Sequence, residues 1–322
     1  MEKKFKDGVY PVMLTPFTED DQVDYEALGK LVDWYIDAGA AGLFAVCQSS
    51  EMFCLSREER VSIARFVAER ANKRAAVIAS GHISDSLDDQ AEELNAIAET
   101  GADAVILLTN RLAEESQSDE IWLENLKYLL ERLPKDIPLG FYECPYPYKR
   151  ILSPKLLRWC ADTGRFYFLK DTSCDITDIK EKLKVIHGTQ LKLFNANSAT
   201  LLESLELGAS GYSGVMANFH PEIYSWLTDH FRDQPQRARL WNDFLTVASF
   251  IECRAYPVNA KYYQMEIGNF NSLQTRTKGK ELLDDTGRKE VEQLDRLTTW
   301  FKKSLVIQSC QKETCTSAPG KA

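Results

Sequence analysis

The stretch Phe166-Tyr167-Phe168-Leu169-Lys170-Asp171-Thr172-Ser173 decides how this chain is read. Four aromatic or aliphatic residues run into a lysine, and small polar residues follow. Such a run is a strand buried on both faces that ends where the polar residues begin. A lysine at that end has two uses. It can pack its aliphatic stem and send the ammonium to water. Alternatively it can hold an amine in a pocket, with a lowered pKa, ready to attack a carbonyl.

Seven further apolar runs punctuate the chain, at 8–14, 41–46, 75–79, 104–108, 138–142, 191–194 and 211–216. Amphipathic stretches separate them. The segment 24–38 carries Leu28, Leu31, Val32, Tyr35 and Ile36 on one helical stripe, with Asp24 as N-cap and Gly39 past its end. Ser56-Arg57-Glu58-Glu59 is a capping box that opens a helix over 56–72. Helices are likewise expected at 84–100, 119–132, 153–163, 175–187 and 198–207, the 153–163 segment with Pro154 at its first position. Eight strands alternating with helices predict a parallel sheet closed as a (β/α)8 TIM barrel. A doubly wound open sheet is the alternative, but Leu14-Thr15-Pro16-Phe17 lacks the glycine-rich turn such a sheet would place after its first strand. After residue 220 only helices are expected, at 220–231, 234–253, 256–265 and 278–305, with a polar loop over 268–280. The domain reading is a barrel at 1–232, a C-terminal helical extension at 233–306 and a disordered tail at 307–322.

Composition narrows the function. The chain has 322 residues and a net charge of −9, which argues against a general nucleic-acid or anionic-membrane binder. No apolar run approaches a membrane span and no secretory h-region follows the charged N-terminus, so a cytoplasmic location is expected. The eight cysteines form no C-x-x-C pair and are expected as free thiols.

In a barrel of this kind the chemistry lies at the carboxyl ends of the strands. Lys170 is the cation there. Tyr142, ending the preceding strand, is its acid/base partner, and Ser49 and Ser50 are hydroxyls able to hold a carboxylate. An amine, a phenol and an anion-binding hydroxyl loop are the parts of an imine-forming enzyme acting on a 2-oxo acid. Glu143 is a further acid/base candidate, with a solvated or paired carboxylate as the plainer alternative. Tyr142, Tyr146 and Tyr148 could form an aromatic wall at the mouth, or else a rigid Pro-Tyr loop packed on its neighbours. Cys47, Cys144, Cys174 and His82 share the rim. They come from separate loops with no metal-ligand spacing, so inert thiols and no metal are expected.

The order of these motifs resembles the dihydrodipicolinate synthase / N-acetylneuraminate lyase family of pyruvate-dependent class I aldolases. The resemblance is carried by the opening Gly8-Val9-Tyr10-Pro11-Val12-Met13-Leu14-Thr15-Pro16-Phe17-Thr18, by Glu51 followed by Leu55-Ser56-Arg57-Glu58-Glu59-Arg60, by the Lys170 strand, and by Leu207-Gly208-Ala209-Ser210-Gly211. It spans roughly residues 7–265. It implies that Lys170 forms an imine with pyruvate or a related 2-oxo acid, so that a C–C bond at C3–C4 forms or breaks through an enamine, or water is lost. It further implies that Tyr142 moves protons, that Ser49 with Gln48 binds the carboxylate, that Thr172 contacts substrate, and that Ser213 does so with its backbone carbonyl, near the pyruvyl group. No cofactor is implied, and a homotetramer or homodimer is.

The chain also departs from the family. The loop G-[ST]-T-G-E is here Cys47-Gln48-Ser49-Ser50-Glu51. The second tyrosine that the synthase branch donates across a subunit interface is absent from 107–111. The synthase arginine is replaced by Pro147, with Lys149 and Arg150 as possible substitutes, and the positions of the sialic-acid branch's polyol-binding residues are Ala196, Ser198 and Ala199. The expected activity is therefore that of an aldolase or dehydratase with an unassigned partner substrate. The alternatives are a catalytically reduced barrel that senses a small acid, and a metal-dependent hydrolase built on His82 and the cysteines.

Overall fold

The computed structural model describes residues 5–315, with side chains through Lys303. Eight parallel strands are present: β1 Gly8–Val9, β2 Gly42–Phe44, β3 Ala76–Ala79, β4 Ala104–Leu108, β5 Leu139–Tyr142, β6 Phe166–Asp171, β7 Lys192–Asn195 and β8 Gly211–Tyr212. They pair in the order β1-β8-β7-β6-β5-β4-β3-β2. The gap between β1 and β2 is bridged at Val12 and Phe44, where Met13 N–H donates to the Phe44 carbonyl at 3.0 Å and Phe44 N–H to Pro11 at 2.9 Å. The sheet is thus a nearly closed TIM barrel. At the β1/β8 seam the backbones approach so closely that a Cβ on Gly211 would lie 1.8 Å from the Gly8 carbonyl oxygen.

The connecting helices are α1 Tyr25–Asp37, α2 Arg57–Ala71, α3 Leu87–Ala98, α4 Asp119–Arg132, α5 Pro154–Asp162, α6 Ile176–Ile186, α7 Leu201–Glu206 and α8 Pro221–His230. Asp24, Ser56, Ser86, Ser153 and Asp175 each cap their helix with a side-chain oxygen. Helix α3 starts later than the expected 84, because Glu93 takes the N–H groups of Ile83 and Ser84, at 2.9 and 3.2 Å, and holds them outside the helix. The extension comprises α9 Pro235–Ala248, α10 Val258–Glu266 and α11 Asp285–Cys315. Helix α9 ends before the expected 253, and a 3₁₀ turn takes over at Ser249–Cys253. Helix α11 starts later than the expected 278 because residues 276 and 277 are bound to Glu51 across the barrel mouth. It runs past 306, through a polar stretch free of glycine and proline. Residues 316–322 of the expected tail lie outside the described residues. Among the described residues, no helix is long and apolar enough to cross a membrane.

An aromatic column fills the barrel. Phe168 stacks on Phe194 with ring centroids 4.3 Å apart, Tyr10 meets both at 5.1 and 4.7 Å, and Phe44 contacts Tyr142 edge-on at 5.6 Å. Gly42 leaves room for Tyr10, whose ring would come within 2.1 Å of an added Cβ. Strand β6 shifts register by one residue against β5: Leu139 pairs with Phe166, but Gly140 pairs with Phe168. Such a bulge changes which face the following residues occupy. Phe166 therefore stacks on Phe141 at 4.3 Å, on the side of Trp122 from α4, while Phe168 joins the interior column. Lys170, two residues on, points inward with Phe168.

Beneath the strand ends sits a buried ion cluster. Lys182 on α6 donates to Glu143 at 2.7 and 3.0 Å and to Asp171 at 2.5 Å, and Asp178 lies 2.8 Å away. Lys182, Glu143 and Asp171 are wholly excluded from water. Burial works against the Lys182 ammonium, but Glu143 and Asp171 outweigh it and raise its pKa, so it stays charged. Glu143 also accepts from Leu152 N–H at 2.9 Å. The cluster thus ties residue 143, next to Tyr142, to residue 171, next to Lys170. Lys182→Met leaves buried carboxylates without their cation and should destabilise the fold by about 3–5 kcal/mol. A urea unfolding midpoint close to wild type would contradict that assignment. Gly211→Ala should cost about 3 kcal/mol or more, because a backbone oxygen cannot yield to the new methyl; an unshifted thermal midpoint would show that the seam relaxes.

Candidate active site

The barrel mouth holds a cavity of about 430 Å³. One side is barrel: Gln48, Ser49, Tyr142, Pro145, Lys170, Thr172, Ala196, Gly214 and Val215. The other side is extension: Glu252, Tyr256, Pro257, Thr277 and Lys278.

Lys170 is 4% exposed, and its ammonium lies over the Tyr142 ring, 4.2 Å from the centroid. It has no hydrogen-bond or ion-pair partner among the described residues. Burial lowers its pKa to about 8, opposed by the nearby Cys47 and Cys144 thiols and by Glu252. Adjacent β5 and β6 pair Tyr142 directly with Lys170. Burial holds the Tyr142 phenol well above its ordinary pKa, so it keeps its proton. That proton points to Gln48 Oε1 at 3.4 Å, which also accepts from Cys144 Sγ at 3.6 Å. With its oxygen occupied, Gln48 has its amide N–H groups left to offer.

Loop 47–51 forms a 3₁₀ turn at Gln48–Ser50, followed by Glu51 with φ 61°. Cys47 and Ser50, which replace the two glycines of the family loop, need no left-handed conformation: Cys47 is extended at φ −153°, and Ser50 is not among the positive-φ residues. Ser49 faces the cavity and accepts a hydrogen bond from Tyr256 at 2.8 Å. Ser50 does not face it. Its hydroxyl reaches the carbonyls of Met13 and Ala45 at 2.9 and 3.0 Å and accepts from Cys47 N–H, so it closes the turn. The Ser213 hydroxyl likewise donates to the Tyr10 carbonyl at 2.9 Å, which leaves only the backbone of residue 213 for a substrate contact. Gly214 and Val215, next in sequence, line the cavity instead. Thr172 lines it while donating to the Glu143 carbonyl at 2.5 Å.

Other rim residues are held in the fold's own contacts. Glu143 is not at the mouth, since it is sealed in the Lys182 cluster. The three tyrosines form no wall. Asn110 Nδ2 gathers the carbonyls of Cys144, Tyr146 and Tyr148, at 2.8, 2.8 and 2.6 Å, and coils the loop around itself. Tyr146 then packs outside on Phe53, and Tyr148 donates to the Asn110 carbonyl. Lys149 donates to the Thr172 carbonyl at 2.7 Å, and Arg150 is held by Gln117 and Asp119; neither lines the cavity. Ser198 bonds Tyr224 at 2.6 Å. His82 accepts Leu108 N–H on Nε2 and faces Gln90 with Nδ1 at 3.1 Å, and burial lowers its pKa to about 4. Both ring nitrogens are thus engaged in the fold. Among the described residues there is no cluster of three His, Cys, Asp or Glu side chains able to hold a metal.

Sequence reasoning missed the extension's side of the cavity, because these groups arrive from more than 80 residues after Lys170. Glu51 brings them there. Its carboxylate, 1% exposed, accepts from Lys261 Nζ at 2.6 Å, Arg276 N–H at 2.6 Å, and Thr277 N–H and Oγ1 at 2.8 and 3.0 Å. Arg276 adds ion pairs to Asp21 and Glu59 and lies over the Phe17 ring. The only hint in the sequence is the run of polar residues in a loop too long for a simple helix connection.

Known proteins resemble this chain in sequence and in fold. The 4-hydroxy-tetrahydrodipicolinate synthase of Clostridium perfringens is 27% identical over 268 residues, covering 82% of this chain and 89% of its own. The protein of the same name from Methanocaldococcus jannaschii is 27% identical over 266 residues, covering 80% and 88%. Among solved structures, the chloride-inhibited dihydrodipicolinate synthase of Acinetobacter baumannii, complexed with pyruvate, superposes with a TM-score of 0.80 at 25% identity, covering 89% of this chain and 97% of that one. A prophage protein of the dihydrodipicolinic acid synthase family from E. coli, also in complex with pyruvate, shares the fold with a TM-score of 0.81 at 22% identity, covering 92% and 98%. The sequence model of the dihydrodipicolinate synthetase family matches residues 5–274, a span that includes every strand of the barrel and the whole cavity wall up to Gln274. By that match the chain belongs to the dihydrodipicolinate synthetase family, and so to the class I aldolase-type lyases.

Proposed function

We propose that the protein is a Schiff-base-forming lyase acting on pyruvate or a related 2-oxo acid. The observation that carries this reading is the unpaired, buried Lys170 amine at the floor of the cavity, its pKa lowered to about 8. At neutral pH a useful fraction of such an amine is uncharged and nucleophilic. It adds to the C2 carbonyl, water leaves, and the protonated imine withdraws electrons from C3. The C3–C4 bond then breaks, or forms in reverse, with an enamine as the intermediate. Tyr142, protonated and against the lysine, delivers and recovers protons at the reacting centre. Gln48 and Ser49 hold the carboxylate with donors, and Thr172 closes the adjoining wall. The cavity surface beyond them, with Glu252 and Lys278, would meet the rest of the substrate. A cytoplasmic homotetramer or homodimer belongs to the same proposal.

Borohydride with pyruvate should add mass to the peptide containing Lys170 and to no other, and Lys170→Ala should abolish the addition. A panel of 2-oxo acids that leaves the wild-type protein unmodified would refute the reading; thermal stabilisation by those acids without trapping would favour a sensing role. The trapping rate should climb with pH through about 8 and level off above it, as the ammonium loses its proton. A rate that keeps rising in step with an ordinary lysine, to above pH 10, would show that burial does not activate the amine.

A further inference from the structure

A line of hydrogen bonds runs from the barrel wall to the cavity through Tyr35, Asn218, Tyr256 and Ser49, and its direction can be assigned. Asn218 Nδ2 lies 3.0 Å from the Val12 carbonyl and 2.9 Å from the Val215 carbonyl. Carbonyls only accept, so this atom is the amide nitrogen. The amide oxygen accepts from the Tyr35 hydroxyl. Tyr256 Oη is 3.1 Å from the same Nδ2 and therefore accepts there, sharing one of its two N–H groups with a carbonyl. A phenol has one proton, and that of Tyr256 is left to donate to Ser49 Oγ at 2.8 Å. Ser49 Oγ, already accepting, keeps a proton for which the described residues offer no acceptor. The residue is 6% exposed and lines the cavity, so the proton is available to whatever the cavity holds. Burial keeps the Tyr256 phenol well above its ordinary pKa, so the chain stays a donor and does not ionise.

We propose that Tyr256 is a positioning residue that, through Ser49, fixes a hydroxyl proton facing the carboxylate of a 2-oxo acid beside Lys170, and that one chain supplies this donor line complete. The proposal rests on the reading of Lys170 as the imine-forming lysine. Tyr256 comes from the segment between α9 and α10, while the stretch 107–111 at the end of β4 contains no tyrosine. The hydroxyl partner of Ser49 is thus brought by the chain's own extension, with no call on a neighbouring subunit.

The test compares wild type, Tyr256→Phe, Ser49→Ala, Ser49→Thr and the Tyr256→Phe/Ser49→Ala double variant by borohydride trapping over a range of pyruvate concentrations. Tyr256→Phe keeps the ring and removes the proton. The pyruvate concentration for half-maximal trapping should rise about tenfold, the scale of one lost hydrogen bond, while the rate at saturation stays within about threefold and its pH midpoint does not move. Ser49→Thr should restore near wild-type half-saturation. The double variant should be no worse than Ser49→Ala alone, since Tyr256 acts only through Ser49. An unchanged half-saturation in Tyr256→Phe, or effects that multiply in the double variant, would overturn the proposal. So would a return of half-saturation to the wild-type value when Lys170→Ala chains are mixed with Tyr256→Phe chains, since it would show that the phenol serves a neighbour. If wild type is not trapped at all, the imine reading fails, and calorimetric titration of the same variants with pyruvate decides the donor line by itself: weaker binding in Tyr256→Phe supports it and equal binding overturns it. If Tyr256→Phe does not fold, Ser49→Ala against Ser49→Thr carries the comparison, and equal half-saturation in the two overturns the proposal.

Discussion

Whether this barrel can do lysine chemistry depends on one residue of slippage in a strand. Strand β6 gains a residue against β5 near Tyr167, so Phe166 turns outward to Phe141 while Phe168 and Lys170 turn inward. Without that slip, the strict alternation of a strand would put all three on one face. Phe166 would then crowd the aromatic column, or Lys170 would leave the cavity. The bulge lets one short strand serve two packing layers, one against α4 and one within the barrel, and still present an amine at its end.

What lies under and over that amine is arranged with opposite electrostatics. Below it, the Lys182 cluster concentrates carboxylates around one ammonium and fixes the two strand ends that carry Tyr142 and Lys170. Around it, aromatic rings and thiols leave the lysine without a counter-ion. Over it, Glu51 binds the extension's loop across the mouth through four hydrogen bonds from Lys261, Arg276 and Thr277. A charged group that pairs fully is structural here, and one that pairs with nothing is exposed to the cavity. Lys182 and Lys261 are as buried as Lys170, but both face carboxylates.

The sequence made the barrel legible because hydrophobic runs, capping residues and glycine joints repeat in one order, and each is a local signal. Lys170 and Tyr142 followed from counting strands. Ser50 was misread because a hydroxyl at a strand end can face the cavity or the loop beneath it, and only the carbonyls of Met13 and Ala45 decide which. Glu143 was open to two uses until Lys182, 39 residues later, claimed it. Tyr256 and Glu252 were invisible for a different reason. Their positions depend on how an irregular segment folds back over the barrel, and no periodicity reports that.

The placement of the mouth's second side has a consequence for synthesis. All eight strands are encoded up to Tyr212, yet Glu252, Tyr256 and Thr277 are still to be added. During that interval a barrel could assemble with Lys170 open to solvent and Ser49 lacking its phenol partner. A closed sheet is therefore not a complete pocket: completeness also requires residues 249–278 to lie over the mouth, where Arg276 and Thr277 bond to Glu51.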